Sequence, residues 1–509
     1  MRIQQFLEHH HLVRNPFSEE DAQTDLVFKN HCIESTFHPS WDKVYGDPTE
    51  PATAVVFGEK GAGKTAMRLQ IARHLEQYNA QHPGKRVFVI HYDDFNPFLD
   101  RFQERFSGRR RRPDKVLAQW KLWDHMDAIL SLGVTGMIDE ILDANPRSPH
   151  VPCHFDPAQV DSLSRHQARD LLLLAACYDQ STAETFGGRW HRLRKRLKFS
   201  IWKSYASLAL GIAVSVPSIF MLFYILFMQW DPEKRFGPTL QAFAFGGLMA
   251  VIVAAWLPWL WKFWNQFRTS RAILRHVRVG NHEPGPLRRI LMRFRASELA
   301  GQPLPNKEST DDRYELMTKF QSVLKSLGYS GVVVLVDRLD EPHLINGSAE
   351  LMKLLLWPML DNKFLKHADL GMKLMLPIEL TRFIDREEKD FYEKARLDKQ
   401  NMIASFQWTG EALYDVTNAR IRACADTADA ASLDQWFDGS VSEQRLRDAM
   451  RSLRTPRHLF KFMYRLLVAH CNAHLDHQPV WQISSDVFEP TLAVYQREQD
   501  AFDRGLGAG

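Results

Sequence analysis

Gly58-Glu59-Lys60-Gly61-Ala62-Gly63-Lys64-Thr65 fits the spacing G-x-x-x-x-G-K-[ST] at every position. Ala54 to Phe57, just before it, is a short apolar run that reads as a buried strand, and Ala66 onward reads as a helix. A glycine-rich turn between strand and helix points backbone N–H groups inward, and the helix adds its positive end to the same anion site. The expected phosphate cradle runs through Gly58, Glu59, Lys60, Gly61, Ala62, Gly63, Lys64, Thr65 and Ala66. Lys64 is placed to reach the β- and γ-phosphates of a nucleoside triphosphate, and the Thr65 hydroxyl to ligand Mg²⁺. The chain has no guanine-specifying N-K-x-D signature, which favours ATP.

A phosphate loop needs an acid for its metal. Val332-Val333-Val334-Leu335-Val336 is continuously apolar and ends at Asp337, as in a parallel strand covered on both faces. Gly328 and Gly331 punctuate its start. A helix from about Asp312 to Leu327 precedes it, with Leu316, Phe320, Leu324 and Leu327 at helical spacing and an Asp312-x-x-Glu315 start resembling a capping box. Ligands of open α/β sheets sit at the carboxyl ends of strands, so Asp337 is the expected second Mg²⁺ ligand. Arg338 follows directly, and the next acids are Asp340 and Glu341. Either can orient the attacking water if the chain turns sharply after Asp337, as Pro342 favours.

Leu453-Arg454-Thr455-Pro456-Arg457 opens an amphipathic helix with Leu459, Phe462, Met463, Leu466 and Leu467 on its apolar side. An Arg in that first turn can fold back onto a γ-phosphate; a plain surface Arg beside a helix-starting Pro is the other reading of Arg457.

Two long uncharged stretches lie between the loop and the acid. No charged residue occurs from Ser204 to Trp230, or from Phe236 to Trp261. Each exceeds the roughly 20 residues that span a hydrocarbon core. Trp202, Tyr205 and Trp230 flank the first, and Trp256, Trp259, Trp261 and Trp264 crowd the end of the second, as in interfacial belts. Pro217 is placed to kink the first helix. Arg189, Arg192, Arg194, Lys195, Arg196, Lys198 and Lys203 precede the hairpin, while Lys262, Arg268, Arg271, Arg275 and Arg278 follow it. The connecting loop, Asp231 to Arg235, balances its charges. Both flanks are therefore expected on the cytoplasmic face of the plasma (inner) membrane, with both termini and the nucleotide site. Neither span holds an ionisable side chain, which argues against an ion path. Ser207, Gly211 and Ser215, and Ala242, Gly246, Ala250 and Ala254, form small-residue faces for packing within the hairpin or between subunits.

The remainder sets bounds. A chain of 509 residues allows two or three domains, and a net charge of +4 is slight. Arg109 to Arg112 is a solvated loop or a contact for acidic partners, and with Arg288 to Arg295 it keeps a nucleic-acid partner open. Cys32, Cys153, Cys177, Cys424 and Cys471 show no paired spacing, which fits a reducing compartment. His150, Cys153 and His154 lack a second ligand pair for zinc. The N-terminus, with Glu8 and His9 to His11, has no apolar core of a signal peptide.

The phosphate loop and the Asp337 strand, with apolar spans inserted between Thr65 and Asp337, resemble the KAP P-loop NTPases, a branch of the STAND/AAA-like ATPases. Asp337-Arg338-Leu339-Asp340-Glu341 is similar to the D-G-x-D-E of NACHT-type STAND proteins, with Arg338 at the small residue, where KAP proteins usually read D-D-L-D-R. Thr455-Pro456-Arg457 resembles the P-R of AAA/STAND sensor motifs. The resemblance covers about residues 51–100 and 312–470. It implies a nucleotide-driven switch, often oligomeric, with bacterial members linked to phage exclusion and antiviral defence.

The expected fold is α/β: a three-layer P-loop NTPase core with a parallel sheet, an inserted two-helix transmembrane hairpin and a C-terminal helical lid. The expected divisions are a lead-in (1–50), the first core part with a helical insertion (51–200), the hairpin (201–265), a basic linker (266–311), the second core part (312–410) and the lid (411–509). Strands are expected at Arg86 to His91 and Gly371 to Ile378, and helices through about 115–185. The expected activity is ATP hydrolysis with Mg²⁺. Lys64, Asp340 or Glu341, and Arg457 carry the catalysis, and Thr65 with Asp337 hold the metal. The expected partners are the membrane, further copies of the chain and an unspecified protein trigger. A non-hydrolysing ATP-binding scaffold and a nucleic-acid-stimulated ATPase are the alternatives.

Overall fold

A computed structural model describes residues 1–142, 155–182, 185–228, 237–426 and 432–503. His150, Cys153, His154, Trp230 and the Asp231 to Arg235 loop lie outside the described residues. The chain divides into two compact units: Met1–Asn96 with Ser330–Gly509, and Pro97–Tyr329.

The first unit is built on a five-stranded sheet in the order β2-β3-β4-β1-β5. The strands are β1 Ala54–Gly58, β2 Arg86–Tyr92, β3 Tyr329–Val336, β4 Leu370–Pro377 and β5 Asn401–Ile403. β4 lies parallel between β1 and β3, with Val55 opposite Leu374 and Val333 opposite Gly371. Every residue of β1 and β4 is buried, which is why the chain writes β1 as an unbroken apolar run and breaks β4 only at Lys373. Gly331 and Gly371 answer a close approach. A Cβ on either would stand 2.7 and 2.9 Å from the ring of Pro51, which crosses the sheet there. β5, which pairs with β1, is a strand the sequence did not announce, because its three residues are only half-buried.

One charge sits inside this sheet. Lys373 of β4 is 2 % exposed, and its ammonium donates to the carbonyls of Val44 (2.7 Å), Tyr45 (3.0 Å) and Ala52 (2.8 Å). It thereby closes the C-terminal end of the helix Trp41–Tyr45. Burial lowers its pKa to about 8, from the ordinary lysine value of about 10.4. Between those values the unfolded chain holds the proton that the folded chain has lost, so Lys373 makes stability rise with pH across that window. Replacing Lys373 by Met is expected to strip three carbonyls of their donor and cost at least about 2 kcal/mol at pH 7. Melting curves of the variant should also lack the wild-type gain between about pH 8 and 10.

The first part of the lead-in expected over 1–50, from Phe6 to Cys32, packs into the C-terminal helical cluster. Phe6 and Leu7 of the helix Ile3–His9, with Leu12, Phe17, Val27 and Phe28, share one core with Trp436, Leu459, Phe462 and Leu467. That core is carried by the helices Gly410–Ala423, Glu443–Leu453, Pro456–Ala473 and Ser485–Asp503. Arg420 and Asp25 form a buried ion pair at 2.5 Å, with the guanidinium also 4.3 Å over the Phe460 ring. A short segment whose apolar residues are spaced irregularly has no periodicity to read, since its partners lie some hundreds of positions later.

The second unit is helical. Leu122–Leu142, Arg165–Tyr178, Phe186–Arg196 and Asp311–Ser326 surround a buried cluster in which Arg313 grips both carboxylate oxygens of Asp127 at 3.1 Å. Tyr178 donates to the same carboxylate at 2.8 Å. The proposed capping box is corrected: Thr310 is the N-cap, without a side-chain cap, and Asp311 and Asp312 fall inside the first turn, where the helix dipole favours them. Two helices, over Trp202–Phe227 and Ala242–His276, are long and apolar enough to cross a membrane, and only 17 % and 6 % of their apolar windows are buried. Pro217 lies inside the helix Ala206–Met228. Gly211 makes room for Trp256, whose ring would stand 3.0 Å from an added Cβ, and Trp256 Nε1 donates to Ser215 Oγ at 2.8 Å. The small face of the first helix thus serves packing within the hairpin, whereas an added Cβ at Gly246 would meet nothing within 4 Å.

The basic linker expected over 266–311 is largely helical. The second long helix runs unbroken from Pro238 to His276, and Pro284–Leu291 and Ala296–Leu299 follow. Ser270 and Ile273 are fully buried between exposed or half-exposed arginines. The charge that suggested a linker is therefore the wet face of an amphipathic helix.

Candidate functional site

β1 delivers the chain into the loop, and the helix Lys64–Gln81 carries it away. Gly61 and Gly63 have φ of +87° and +92°, a region that a side chain disfavours. Gly61 has a second reason: an added Cβ would stand 2.6 Å from Arg457 Cβ. The loop is gripped on both sides. Arg457 donates its backbone N–H to Gly61 O at 3.4 Å, and Trp408 Nε1 donates to Ala62 O at 2.7 Å.

Lys64 Nζ donates to the carbonyls of Gly58 (2.7 Å) and Glu59 (2.9 Å). Burial lowers its pKa, while the nearby charges of Asp337, Asp340 and Glu379 work to keep it protonated. Asp337 ends β3 at 2 % exposure. Burial raises its pKa against the opposing pull of Arg68 and a hydrogen bond from the Thr65 side chain. Its Oδ2 is buried and accepts no hydrogen bond; Arg68 Nε stands 3.2 Å away as an ionic contact, and Arg68 Nη1 reaches Asp93 at 2.6 Å. The two proposed metal residues are therefore in contact.

The turn after Asp337 is sharp, with Arg338 at φ +59°. Glu341 is held by Arg338 at 2.6 Å, with its side chain 51 % exposed, and Arg338 also donates to Gln23 at 2.9 Å. Asp340 and Glu341 both stand on the cleft wall with Lys64, Thr65 and Asp337. Arg457 lies in the first turn of its helix, which Pro456 opens and Thr455 caps, and its charge reaches Lys64.

Beyond the loop the cleft turns apolar. Phe28, Cys32 and His38 from the N-terminal segment face Phe406, Trp408, Val416 and Phe460 across it. His38 stacks on Phe406 with centroids 3.6 Å apart, accepts from Ser40 N–H at 3.0 Å through Nδ1, and so donates through Nε2 to Gln407 O at 2.8 Å. Burial holds it neutral, with its pKa pushed down to about 4. The loop residues, Asp337, Asp340, Glu341 and Arg457 are thus brought together on one cleft, with the Glu341 carboxylate held by Arg338. Arg68, Glu379, Trp408 and the N-terminal wall were not read from the sequence. Only the Phe406-Gln407-Trp408 aromatic pair offered a signal, and it has no motif spacing. Comparison of the chain with protein-family models, with curated proteins and with solved structures returned no match.

Proposed function

We propose that the chain is a membrane-anchored P-loop NTPase of the KAP kind, which binds ATP with Mg²⁺ and hydrolyses it to drive a conformational switch. The observation that carries this reading is the contact between Thr65 and Asp337, which brings the end of the loop against the acid of a distant strand. The buried Oδ2 of Asp337, which accepts no hydrogen bond and meets Arg68 as an ionic contact at 3.2 Å, fits a cation beside the Thr65 hydroxyl. Among the described residues no group of three or more His, Cys, Asp or Glu converges on a metal. Mg²⁺ needs no such group, since it takes most of its shell from phosphates and water. When bound, the ion would neutralise charge on the β- and γ-phosphates. The chain's own residues wrap the phosphates with loop N–H groups, hold them with Lys64, and sense the γ-phosphate through Arg457. The apolar end of the cleft, with Phe406, Trp408 and Phe460, suits a purine ring.

The apolar hairpin supports a membrane anchor, with the basic flanks and the nucleotide site on the cytoplasmic side. Assembly into oligomers and a part in phage defence rest on the family resemblance alone. One observation favours a second reading, ATP held without turnover: the Glu341 carboxylate is already taken by Arg338. Phosphate release by the full chain in lipid vesicles, with Mg²⁺ or with EDTA, separates the two. Release that needs Mg²⁺, and that falls about tenfold in Thr65→Ala, is expected. ATP binding without release would leave the scaffold, and neither binding nor release would remove the nucleotide reading.

A further inference from the structure

At the end of the hairpin where both long helices leave their apolar stretches lies a cavity of about 710 Å³. Three pieces of chain wall it: the start of the first helix at Lys203 and Ser204, the second helix from Pro258 to Thr269, and the segment after Arg295. Its charged lining side chains are Lys203, Lys262 and Arg295, and no carboxylate lines it. Lys262 is 9 % exposed, and two of its three N–H groups go to the carbonyls of Ser204 (3.0 Å) and Met292 (2.9 Å). A buried ammonium on a cavity wall is costly unless paired with an anion. The charge of Glu298 acts on Lys262, but its ion pairs go elsewhere. That carboxylate is drawn to Arg165 at 2.6 Å, and Arg295 Nε stands 3.8 Å away. Gln266, on the same wall and 4 % exposed, has its Oε1 without a hydrogen-bond partner, an acceptor of the kind that a headgroup hydroxyl satisfies.

Two features suit this cavity to an amphiphilic anion. Trp202 and Trp261, at the same end of the hairpin, are 72 % and 71 % exposed, as rings at a headgroup level are. From there the exposed apolar surface continues along the hairpin through Leu210, Leu257 and Leu260. An acyl chain can lie on that surface while a phosphate enters between the cations. We infer that this cavity is a binding site for one anionic phospholipid, with its phosphate held by Lys203 and Arg295 beside Lys262 and its acyl chains along the hairpin. This rests on the reading of the two helices as membrane spans. It differs from diffuse attraction of a basic flank to a charged leaflet, which needs no cavity and treats all nearby cations alike.

The test uses the full chain, extracted from membranes in mild detergent and probed with phosphatidylglycerol, phosphatidylcholine or soluble glycerol phosphate. Bound lipid is counted by native mass spectrometry. The expected result is one retained phosphatidylglycerol, little phosphatidylcholine and no glycerol phosphate. Retention should fall at least tenfold in the Lys203→Ala/Arg295→Ala double variant. It should stay unchanged in Arg268→Ala/Arg271→Ala, on the same basic flank but outside the cavity. Replacing Ala296 by Trp, which fills the cavity with its charges left in place, should give the same loss as the double variant. Equal loss in both charge variants would mean surface attraction only and overturn the site. Glycerol phosphate bound as well as the lipid would make it a free phosphate site and overturn the lipid assignment. A chain recovered in the soluble fraction would overturn the span reading itself, and this inference with it.

Discussion

Lys64→Met should abolish the response of this chain to ATP. Phosphate release should fall by about 10²–10³, the usual cost of losing a preorganised charge at a reacting oxygen. The nucleotide-induced rise in melting temperature should vanish at ATP concentrations that saturate the wild type. Saturation at about 100 Kd stabilises by roughly 2.7 kcal/mol, so the lost shift is easily read. The reason is local. The Lys64 ammonium is half-buried near the charges of Asp337, Asp340 and Glu379, and its only described hydrogen bonds go to two carbonyls of its own loop. Transfer of this ammonium from two neutral carbonyls to a polyanion is strongly favourable at low solvent exposure. The unliganded variant should still fold, because Arg68 continues to balance Asp337. A Lys64→Met protein that keeps the ATP-induced shift would remove the loop from the nucleotide reading.

What was legible in the chain depended on where each partner lies. β1 and β3 could be read because burial on both faces forces unbroken apolar runs, and β4 was found at Gly371 to Ile378, one residue from its observed bounds. The loop could be read because positive φ at Gly61 and Gly63 demands glycine at fixed spacing. Arg68 could not. It sits one helical turn beyond Lys64, where an arginine ordinarily faces water, and it is buried only because Asp93 and Asp337 end neighbouring strands beside it. Lys373 was hidden for the same reason, its three acceptors lying in the segment before β1. The N-terminal wall of the cleft reads as a lead-in because its apolar residues meet partners that lie hundreds of positions later in the chain. Local pattern thus announced the strands and the loop. The side chains that tune the loop come from non-local contact, which no window of sequence contains.

The choice between Asp340 and Glu341, open in the sequence, becomes a prediction with opposite outcomes. A general base must reach the attacking water within about 2.6–3.2 Å with a free lone pair. Asp340 lines the cleft and its charge acts on Lys64, the group that marks where the γ-phosphate would sit. Glu341 lines the cleft too, but its carboxylate is half-exposed and already held at 2.6 Å by Arg338. Asp340→Asn should therefore cut phosphate release by about 10²–10⁴, the range for loss of a positioned base. ATP binding, read as a thermal shift, should stay within about twofold. Glu341→Gln should cost less than about fivefold, since an exposed ion pair carries only about 0–1 kcal/mol. The reverse ranking would mean that Arg338 lets go of Glu341 when ATP binds, and Arg338→Ala would then raise the rate. If neither variant slows release, the water is handled by Glu379 at the end of β4, whose charge also acts on Lys64, and Glu379→Gln would be the slow enzyme.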